Sequence, residues 1–362
     1  MTESEKTAVV VGASLAGLMT GIALANAGIK VTIIERAGPK PRNGAVLQVD
    51  SGEHDTSETA RSLREVASGG LRSAEAWSSI QSRLSEAAMS HTRIDLVYDT
   101  RITGVHQDSR SAWAVTSTGR TFSGDMLIGA DGHCSIVRRI VAPKRPDAAF
   151  AGYMIWVAIL NEQDIPEKYW PPVNATVSMP NGKGDFLLGS VVKGADGSLK
   201  RGERRLGWAW YDNTRNQLLR KKGCVQGTLV HHSLIGKDIP EKTIKELIDQ
   251  ASDRWPQPWL AATVHSIETR SLIGIPIAEY VPAKLAKGRV AIVGDAAHVL
   301  TPISASGFNA SLQDAATLTD CILEQSGKYE PILALQQYQS LRLNKVRQMV
   351  ETGQSFSRNF GR

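Results

Sequence analysis

A short turn near the amino terminus has the residue types and spacing of a dinucleotide-binding site. Gly12, Ser14 and Gly17 follow an apolar run at residues 8–11 that is typical of a buried parallel strand, and they precede apolar residues at helical spacing. The first glycine of such a turn permits a tight bend, and the third lets helix and strand pack closely. The middle position lets backbone amides approach a pyrophosphate. Serine there adds only a small hydroxyl, which could itself donate to phosphate.

An acid ends the strand that follows this helix. Gly28 stands where a left-handed helix cap belongs, residues 30–34 resume strand character, and Glu35 follows Gly17 by 18 residues. This spacing is close to the one at which an acid accepts hydrogen bonds from ribose hydroxyls. Because strand, turn, helix, second strand and acid agree, this part of the chain predicts a site for the phosphates and ribose of a dinucleotide.

Two further acids end apolar, strand-like segments. Asp131 follows residues 126–129, and Asp295 follows residues 289–293 and one glycine; each stands before a predicted helix start. Ligands of doubly wound sheets bind at the carboxyl ends of parallel strands, where helix-start amides favour anions. For Asp131 the alternative is a helix N-cap, which needs no ligand and is by itself the commoner role.

Composition places the chain among globular proteins. Its 362 residues are 42% hydrophobic, which suits a large core and two domains. The net charge of +6 is dispersed along the sequence, so we expect no nucleic-acid partner. No apolar run reaches the roughly 20 residues that span a bilayer, so we expect no integral membrane segment. Three distant cysteines favour neither a disulfide framework nor a metal site, and a cytoplasmic location fits best.

The remaining segments differ in how clearly their pattern predicts structure. Residues 50–73 are polar with weak periodicity, and we expect a mobile or excursion segment there. Helical spacing predicts helices over residues 74–89, 244–255 and 331–355. Strand-like alternation predicts a small meander, made of residues 93–97, 101–105, 112–116 and 121–122.

A change in composition marks residues 150–280. Strands rich in tryptophan, glycine and valine alternate there with turns, which predicts an inserted antiparallel sheet. Its aromatic residues could line a flat pocket, although strand aromatics more often pack a core. The candidates for this role are Trp156, Trp208, Trp210 and Tyr211.

Taken in order, these motifs resemble those of the FAD-dependent aromatic hydroxylases of the p-hydroxybenzoate hydroxylase fold, the group A flavoprotein monooxygenases. The resemblance covers nearly the whole chain. Aromatic-rich segments, such as residues 206–211, look most like the 2,6-dihydroxypyridine 3-hydroxylase branch. The three matching motifs are Gly12-x-Ser14-x-x-Gly17 with Glu35-Arg36, Asp131-Gly132 with Ser135 and Arg138, and Gly294-Asp295-Ala-Ala-His298 through Pro302 and Asn309.

The resemblance implies an α/β fold with a discontinuous, Rossmann-like FAD-binding domain formed by residues 1–150 and 281–330. A substrate-binding domain, mostly an antiparallel β-sheet, would occupy residues 151–280, and a C-terminal helical segment residues 331–362. A turn-rich loop is expected at residues 37–44.

The resemblance also implies roles for individual residues. The turn from Gly12 to Gly17 would meet the pyrophosphate, Glu35 the ribose, and Asp295 the ribityl hydroxyls. The substrate contacts that we predict from the aromatic residues of the inserted sheet, independently of the resemblance, are Trp208, Trp210 and Tyr211. The full set implied to bind cofactor is Gly12, Ala13, Ser14, Leu15, Ala16, Gly17, Glu35, Arg36, Gln48, Ile102, Asp131, Gly294, Asp295, Pro302, Gly307, Phe308 and Asn309.

The implied reaction hydroxylates a small electron-rich aromatic or N-heteroaromatic ring with NAD(P)H and O2, through a flavin hydroperoxide. NAD(P)H would be a visiting co-substrate, since it has no glycine turn of its own. The sequence names no catalytic base. His298 is more plausible as a hydrogen-bonding structural residue, and the oligomeric state stays open, a homodimer included.

Two departures from the resemblance leave alternatives open. The segment between Gln48 and Trp77 is shorter than in similar proteins, and Ala305 stands where many of them have glycine. Other flavin chemistry on the same scaffold, by a halogenase or an oxidase, is one alternative, because residues 207–210 resemble part of a halogenase tryptophan motif. A catalytically inactive FAD-binding protein is the other, and its motive is the shortened segment after Gln48.

Overall fold

The computed structural model describes residues 5–40, 44–53, 55–70, 72–173, 175–181, 185–325 and 329–361. Part of the loop expected at residues 37–44 therefore lies outside the described residues. The strands are β1 (Thr7–Val11), β2 (Lys30–Ile34), β3 (Val46–Val49), β4 (Ser73–Ala76), β5 (Ile94–Val97), β6 (Ile102–Gln107), β7 (Ala112–Thr116), β8 (Thr121–Gly124), β9 (Met126–Gly129), β10 (Ala149–Asn161), β11 (Thr176–Asn181), β12 (Asp185–Val192), β13 (Arg205–Asp212), β14 (Val225–Gln226), β15 (Leu229–Val230), β16 (Leu234–Ile235), β17 (Ile273–Glu279), β18 (Ala286–Lys287) and β19 (Val290–Ile292).

The helices alternate with these strands in the first half of the chain, and two helices end the second half. They are α1 (Leu15–Asn26), α2 (Glu58–Ser68), α3 (Trp77–Ser90), α4 (Arg138–Val141), α5 (Asn216–Lys221), α6 (Glu241–Arg254), α7 (Trp259–Glu268), α8 (Gly307–Leu323) and α9 (Pro331–Phe360).

The first sheet holds the three motif-bearing strands side by side. Its order is β18-β19-β9-β1-β2-β5, parallel except for the short edge strand β18. Strands β9 and β19 are buried along their whole length, as expected for parallel strands covered on both faces. The carboxyl ends of β1, β9 and β19 therefore meet at one edge of the sheet.

The predicted meander is partly wrong. Strands β6, β7 and β8 form a three-stranded antiparallel sheet, but β5 pairs parallel with β2 at the edge of the main sheet. The side-chain alternation of a short strand does not reveal its partner, because pairing is set by tertiary contacts.

The expectation of a mobile or excursion segment over residues 50–73 is wrong for residues 58–68, which form α2. Ser57 caps this helix by accepting a hydrogen bond from the Ala60 amide, and Leu63 and Ala67 are buried. Together with Ala60, these residues form a buried helical face, which is enough to pack a helix that is polar overall. The helix predicted over 74–89 begins at Trp77, because residues 73–76 pair as β4 with β3.

The second sheet is antiparallel, in the order β11-β12-β13-β10-β17-β16. Helices α6 and α7 pack on one face of it; α7 is an element that the sequence patterns did not predict. The other face looks toward the first sheet and the end of α9, which runs to Phe360 instead of ending near residue 355.

The α/β fold with two sheets of these kinds confirms the predicted fold class. The first sheet draws its strands from residues 7–129 and 286–292, and the second from residues 149–279. The division into domains at residues 150, 280 and 330 stays a prediction, with sheet membership changing close to the first two of these points. Among the described residues, no helix is both long and apolar enough to cross a bilayer.

Candidate active site

A cavity of about 440 Å³ lies where the carboxyl edge of the first sheet meets the open face of the second. Its two halves differ in composition. The half at the first sheet is lined by Ser14, Leu15, Ala16, Gly132, His133, Asp295, Pro302, Gly307 and Phe308, and the half at the second sheet by Gln48, Ile155, Leu188, Ser190, Ala209, Tyr211, Ile275, Ile277 and Thr301.

The turn between β1 and α1 can exist only with glycine at two positions. Gly12 has a φ of +106°, and a Cβ atom there would lie 2.4 Å from the Ala130 carbonyl oxygen. A Cβ on Gly17 would lie 1.9 Å from the Gly12 oxygen. These contacts seat the start of α1 directly on the ends of β1 and β9.

The start of α1 is open to an anion. Ser14 is the N-cap residue, yet its side chain makes no capping hydrogen bond, and it lines the cavity with Leu15 and Ala16. The first-turn amides of a helix lack intrahelical partners and carry the positive end of the helix dipole. The turn therefore presents the donors that a phosphate group needs.

Glu35 organises this turn from the neighbouring strand. Its Oε2 accepts a hydrogen bond from the Ala13 amide, and its Oε1 accepts one from the Ala37 amide, both at 2.9 Å. A carboxylate oxygen can accept more than one hydrogen bond, so these contacts leave capacity for a ribose hydroxyl.

Neither Glu35, Arg36 nor Ile102 lines the cavity. Arg36 is exposed, and Ile102 is buried at the start of β6. Their contacts with an adenosine stay predictions.

Asp131 caps a turn in this structure. Its carboxylate accepts hydrogen bonds from the Ser135 hydroxyl and from the backbone amides of Ile136 and Val137. Burial raises the pKa of Asp131, and these donors oppose the rise. Asp131 is therefore not the N-cap residue of α4, a position held by Val137, but it fixes the loop before that helix, and its neighbours Gly132 and His133 line the cavity.

Arg138 ties this loop to the one that follows β19. The side chain is fully buried; its guanidinium donates to the carbonyl oxygens of His133, Asp295 and Ala296, and lies 4.2 Å from the centre of the Tyr280 ring. Bonds to three carbonyls from one rigid guanidinium hold the second and third motifs in fixed relation.

Asp295 is the acid that points into the cavity. Its side chain is exposed there, while Gly294 beside it is buried and donates its amide hydrogen to Asp314. The surrounding protein raises the pKa of Asp295 by desolvation, with His298, His133 and Arg138 opposing the rise. A carboxylate in this position can accept hydrogen bonds from the hydroxyls of a bound ligand.

His298 serves the fold and lies behind the cavity. Its Nε2 lies 2.6 Å from Asp314 Oδ2, and Arg342 from α9 donates to the other oxygen of the same carboxylate at 2.8 Å. Burial would raise the pKa of Asp314, but His298 and Arg342 together hold it below its ordinary value. This geometry agrees with the structural role expected for His298.

The start of α8 forms another open helix end. Pro302, Gly307 and Phe308 line the cavity, and the N-cap residue Ser306 makes no side-chain capping bond. Ala305 adopts a left-handed backbone with a φ of +50°, which explains why glycine suits this position in similar proteins.

Asn309 faces away from the cavity toward α2. Its Oδ1 accepts from Arg64 at 2.9 Å, and its amide donates to Asp50. Arg64 is buried and also paired with Asp55. The short segment after Gln48 is thus fastened to the start of α8.

The predicted aromatic residues divide between two faces of the second sheet. Successive side chains of a strand point to opposite faces. Trp208 donates to Ser266 of α7 at 3.2 Å, and Trp210 packs edge-on against Trp255 at 5.4 Å, so both rings lie in the helix-covered core. Trp156 lies in the same core and donates to Asp212.

Trp208 and Tyr211 are both among the residues that line the cavity, but of the predicted substrate contacts it is Tyr211 that packs on the sheet face toward the first sheet. It stacks on Tyr153 with ring centres 6.1 Å apart, next to Phe356 and Phe360 of α9. The rings of Trp208 and Trp210 therefore serve packing, while Gly207, Trp208 and Ala209 also line the cavity. Gln48 does line the cavity, where its amide donates to Ser190 of β12 at 3.3 Å.

His133 is a site residue that sequence reasoning missed. Its Nε2 is buried and has no hydrogen-bond partner among the residues that the structure describes, and it lines the cavity near Asp295. Burial lowers the pKa of this imidazole, which keeps it neutral and able to donate or accept. The sequence feature that could have identified His133 as a site residue is its position two residues after Asp131.

These features fit FAD. An open turn suits a pyrophosphate, an acid exposed in the cavity suits sugar hydroxyls, an unpartnered imidazole nitrogen suits a polar ligand, and the apolar wall suits a flat ring. Within the described ranges, no group of histidine, cysteine and acidic residues could hold a metal ion.

Comparison with known proteins agrees with this reading. A family model described as an FAD binding domain matches residues 5–71 and 76–353. The chain is similar to an aurachin C monooxygenase/isomerase of Stigmatella aurantiaca, at 25% identity over 95% of this chain and 87% of that protein. It is likewise similar to an FAD-dependent urate hydroxylase of Klebsiella pneumoniae, at 26% identity with the same coverage.

Among solved structures, 2,6-dihydroxypyridine-3-hydroxylase from Arthrobacter nicotinovorans superposes with a TM-score of 0.78 at 20% identity, covering 99% of this chain and 93% of that one. This likeness confirms the expected fold of the p-hydroxybenzoate hydroxylase type.

Proposed function

Because the chain belongs to the FAD-binding domain family, we propose that it is an FAD-dependent monooxygenase that hydroxylates a small, electron-rich aromatic or N-heteroaromatic compound. The observation that carries this proposal is the single cavity in which cofactor-type features and an apolar sheet face each other. In the overall reaction, one oxygen atom of O2 replaces a ring hydrogen as hydroxyl. The other leaves as water, with the two electrons supplied by NAD(P)H.

FAD, when bound, supplies the transfer of those electrons and the activation of dioxygen. The protein positions the cofactor in the cavity. The open turn at Ser14 would hold the pyrophosphate, and Asp295 would accept hydrogen bonds from the sugar-chain hydroxyls. Glu35 holds the turn in shape and would accept from the ribose. The open amides at the start of α8 would stabilise negative charge on a flavin ring bound in the cavity.

The second sheet forms an apolar wall of the cavity. Ile155, Leu188, Ile275 and Ile277 expose apolar side chains to the cavity, and such a wall keeps water from the reacting oxygen. Tyr211 gives a flat aromatic surface at the same place. A planar ring can therefore lie against this wall with its edge toward the polar groups Gln48, Ser190 and Thr301.

The charges in the cavity favour an uncharged substrate. Among the described residues that line it, Asp295 is the one carboxylate, and none is lysine or arginine. A benzoate would bury its carboxylate without a cationic partner, which is costly. We therefore place hydroxylated pyridines and related neutral heterocycles ahead of hydroxybenzoates, in keeping with the 2,6-dihydroxypyridine 3-hydroxylase branch.

A homodimer stays a prediction, to be tested by the mass of the protein in solution. The choice between NADH and NADPH is left to the assay.

The direct test is to measure NAD(P)H oxidation by the FAD-loaded protein in the presence of small hydroxylated pyridines, purines and benzoates, with product analysis. We expect a neutral hydroxylated heterocycle to stimulate oxidation and to gain one hydroxyl. A protein that binds FAD but yields no hydroxylated product with any of these compounds would contradict the proposal and favour an inactive FAD-binding protein.

A further inference from the structure

A glutamine and a serine form a hydrogen-bonded pair at the second-sheet half of the cavity. Gln48 of β3 and Ser190 of β12 both line the cavity, and Gln48 Nε2 donates to Ser190 Oγ at 3.3 Å. The two residues are 142 positions apart in the chain and belong to different sheets. The pair therefore forms only where β3 lies against the second sheet.

A glycine lets these parts of the chain come together. Ser190 pairs across the sheet with Gly207 of β13, and a Cβ atom on Gly207 would lie 2.1 Å from Cγ2 of Val46. A larger residue at this position would push β3 away from the second sheet. Val46 and Gln48 are two residues apart on one strand and share a face, so the approach of Val46 also brings Gln48 to Ser190.

The pair is a polar spot on an otherwise apolar wall. Ser190 lies on the same strand face as Phe186 and Leu188, which pack on the side of the second sheet toward the cavity, and its side chain is 8% exposed. Polar groups that a ligand covers lose their contact with water, and this is costly unless the ligand replaces the lost hydrogen bonds. A ligand that covers Gln48 and Ser190 must therefore offer hydrogen-bonding groups of its own.

Both side chains keep a free hydrogen-bonding group. The oxygen of Ser190 accepts from Gln48, so its one hydroxyl hydrogen is available to another acceptor, and Gln48 Oε1 is available to another donor. Among the residues that the structure describes, neither group has a further partner. If the amide turns over, Gln48 supplies the free donor and Ser190 the free acceptor. In both orientations the pair offers a donor and an acceptor side by side.

A donor beside an acceptor matches the edge of a lactam ring. In 2-pyridone, for example, the ring N–H donates and the adjacent carbonyl oxygen accepts, and both groups lie in the plane of the ring. Glutamine recognises the edge of adenine through such a two-point pattern. A phenol has a single oxygen at this edge and no ring N–H beside it, so one atom must serve both protein groups and the two-point geometry is lost.

We propose that Gln48 and Ser190 determine substrate specificity by binding the N–H and carbonyl groups of a lactam edge, so that the substrates are N-heterocycles in their lactam form. The proposal rests on the proposed function and narrows it from neutral, electron-rich rings to this class. The ring would lie against the apolar wall beside Leu188 and Ala209, with its polar edge toward the pair.

The test measures the binding of three uncharged probes to the FAD-loaded protein without NAD(P)H, through the change that each causes in the flavin absorption spectrum. The probes are 2-pyridone, N-methyl-2-pyridone, which lacks the N–H group, and phenol. In the unchanged protein we expect 2-pyridone to bind about tenfold more tightly than either of the other two, because a site built to hydrogen-bond an N–H group rejects analogues that lack it.

Variants of the pair should remove this preference. Gln48→Met keeps the length of the side chain without its amide, and Ser190→Ala removes the hydroxyl; each should bring the Kd of 2-pyridone close to that of N-methyl-2-pyridone. Ser190→Thr keeps the hydroxyl and should retain the preference. Ser178→Ala is the matched control, since Ser178 is an exposed serine of β11 that does not line the cavity.

The affinity for FAD and the melting temperature of each variant identify loss of cofactor or of folding. Should Gln48→Met lose FAD, Ser190→Ala decides the matter.

Equal Kd values of 2-pyridone and N-methyl-2-pyridone in the unchanged protein would overturn the proposal, and so would a preference for 2-pyridone that survives in both Gln48→Met and Ser190→Ala. Because this measurement requires no turnover, such a failure is separate from that of the proposed function, which is judged by hydroxylated product.

Discussion

The two halves of the cavity are built by different means. In the half at the first sheet, backbone amides and acids stand at the ends of three adjacent parallel strands, where glycines allow the chain to approach closely. In the half at the second sheet, every other side chain of antiparallel strands forms a smooth apolar wall. The first half therefore depends on local backbone conformation, and the second on which face of a sheet the helices cover.

This contrast predicts that variants in the cofactor half lower FAD affinity and that variants in the substrate half alter substrate affinity or stability. The largest effect is expected for Asp295→Ala. Loss of charged hydrogen bonds in the cavity should weaken FAD binding by about 3 kcal/mol, roughly a hundredfold in Kd.

Titration of the Asp295→Ala apoprotein with FAD, followed by flavin fluorescence, measures this loss. Asp320→Ala on the far end of α8 is a suitable control for general damage. An unchanged Kd for FAD would show that Asp295 does not contact the cofactor.

Glu35→Ala should have the next largest effect, about 2 kcal/mol in FAD binding. Because Glu35 accepts from the amides of Ala13 and Ala37, its removal should also lower the melting temperature of the protein without FAD. Calorimetry of the apoprotein together with an FAD titration separates the two effects. A loss of stability with full FAD affinity would show that Glu35 shapes the turn without touching ribose.

In the substrate half, two neighbours on β13 should behave oppositely. Trp210→Phe removes volume from the helix-covered core and should cost about 1.5 kcal/mol of unfolding free energy while leaving KM for the aromatic substrate unchanged. Ala209→Leu, on the cavity face, should instead raise KM at little cost in stability.

Chemical denaturation and steady-state kinetics on this pair of β13 variants check the assignment of faces. A raised KM in Trp210→Phe with unchanged stability would show that the Trp210 indole contacts the substrate.

The smallest expected effect is a gain in the stability of the folded protein. Ala305 holds a left-handed backbone that is unfavourable for a residue with a Cβ atom, so Ala305→Gly should stabilise the protein by about 1 kcal/mol. The melting temperature of the Ala305→Gly variant measures this effect and should rise. A fall would mean that glycine's added freedom in the unfolded chain outweighs the relief of strain.

The same contrast explains how much the sequence could predict. The glycine turn, Asp131 and Asp295 are readable because a strand end, a glycine and an acid are adjacent in the chain. Trp208 and Trp210 were not assigned a face, since alternation shows that they share one but not that α7 covers it. Helix α2 was missed because few apolar residues mark its buried side.

Contacts between distant residues left no local signal. The hydroxyls of Tyr153 on β10 and Thr301 in the loop after β19 lie 2.6 Å apart although 148 positions separate the two residues, and no periodicity connects them. Likewise, Arg138 binds carbonyl oxygens of another motif, a contact that depends on backbone geometry and is independent of the side chains there.

The central claim is that FAD and an aromatic ring share this cavity for hydroxylation. The most direct measurement supplies the FAD-loaded protein with NAD(P)H, a hydroxylated pyridine and dioxygen enriched in the heavy isotope of oxygen, and determines the mass of the product. The account predicts one heavy oxygen atom in the ring product, with NAD(P)H oxidised in equal amount. A product without heavy oxygen, or oxidation of NAD(P)H that yields only hydrogen peroxide, would contradict it.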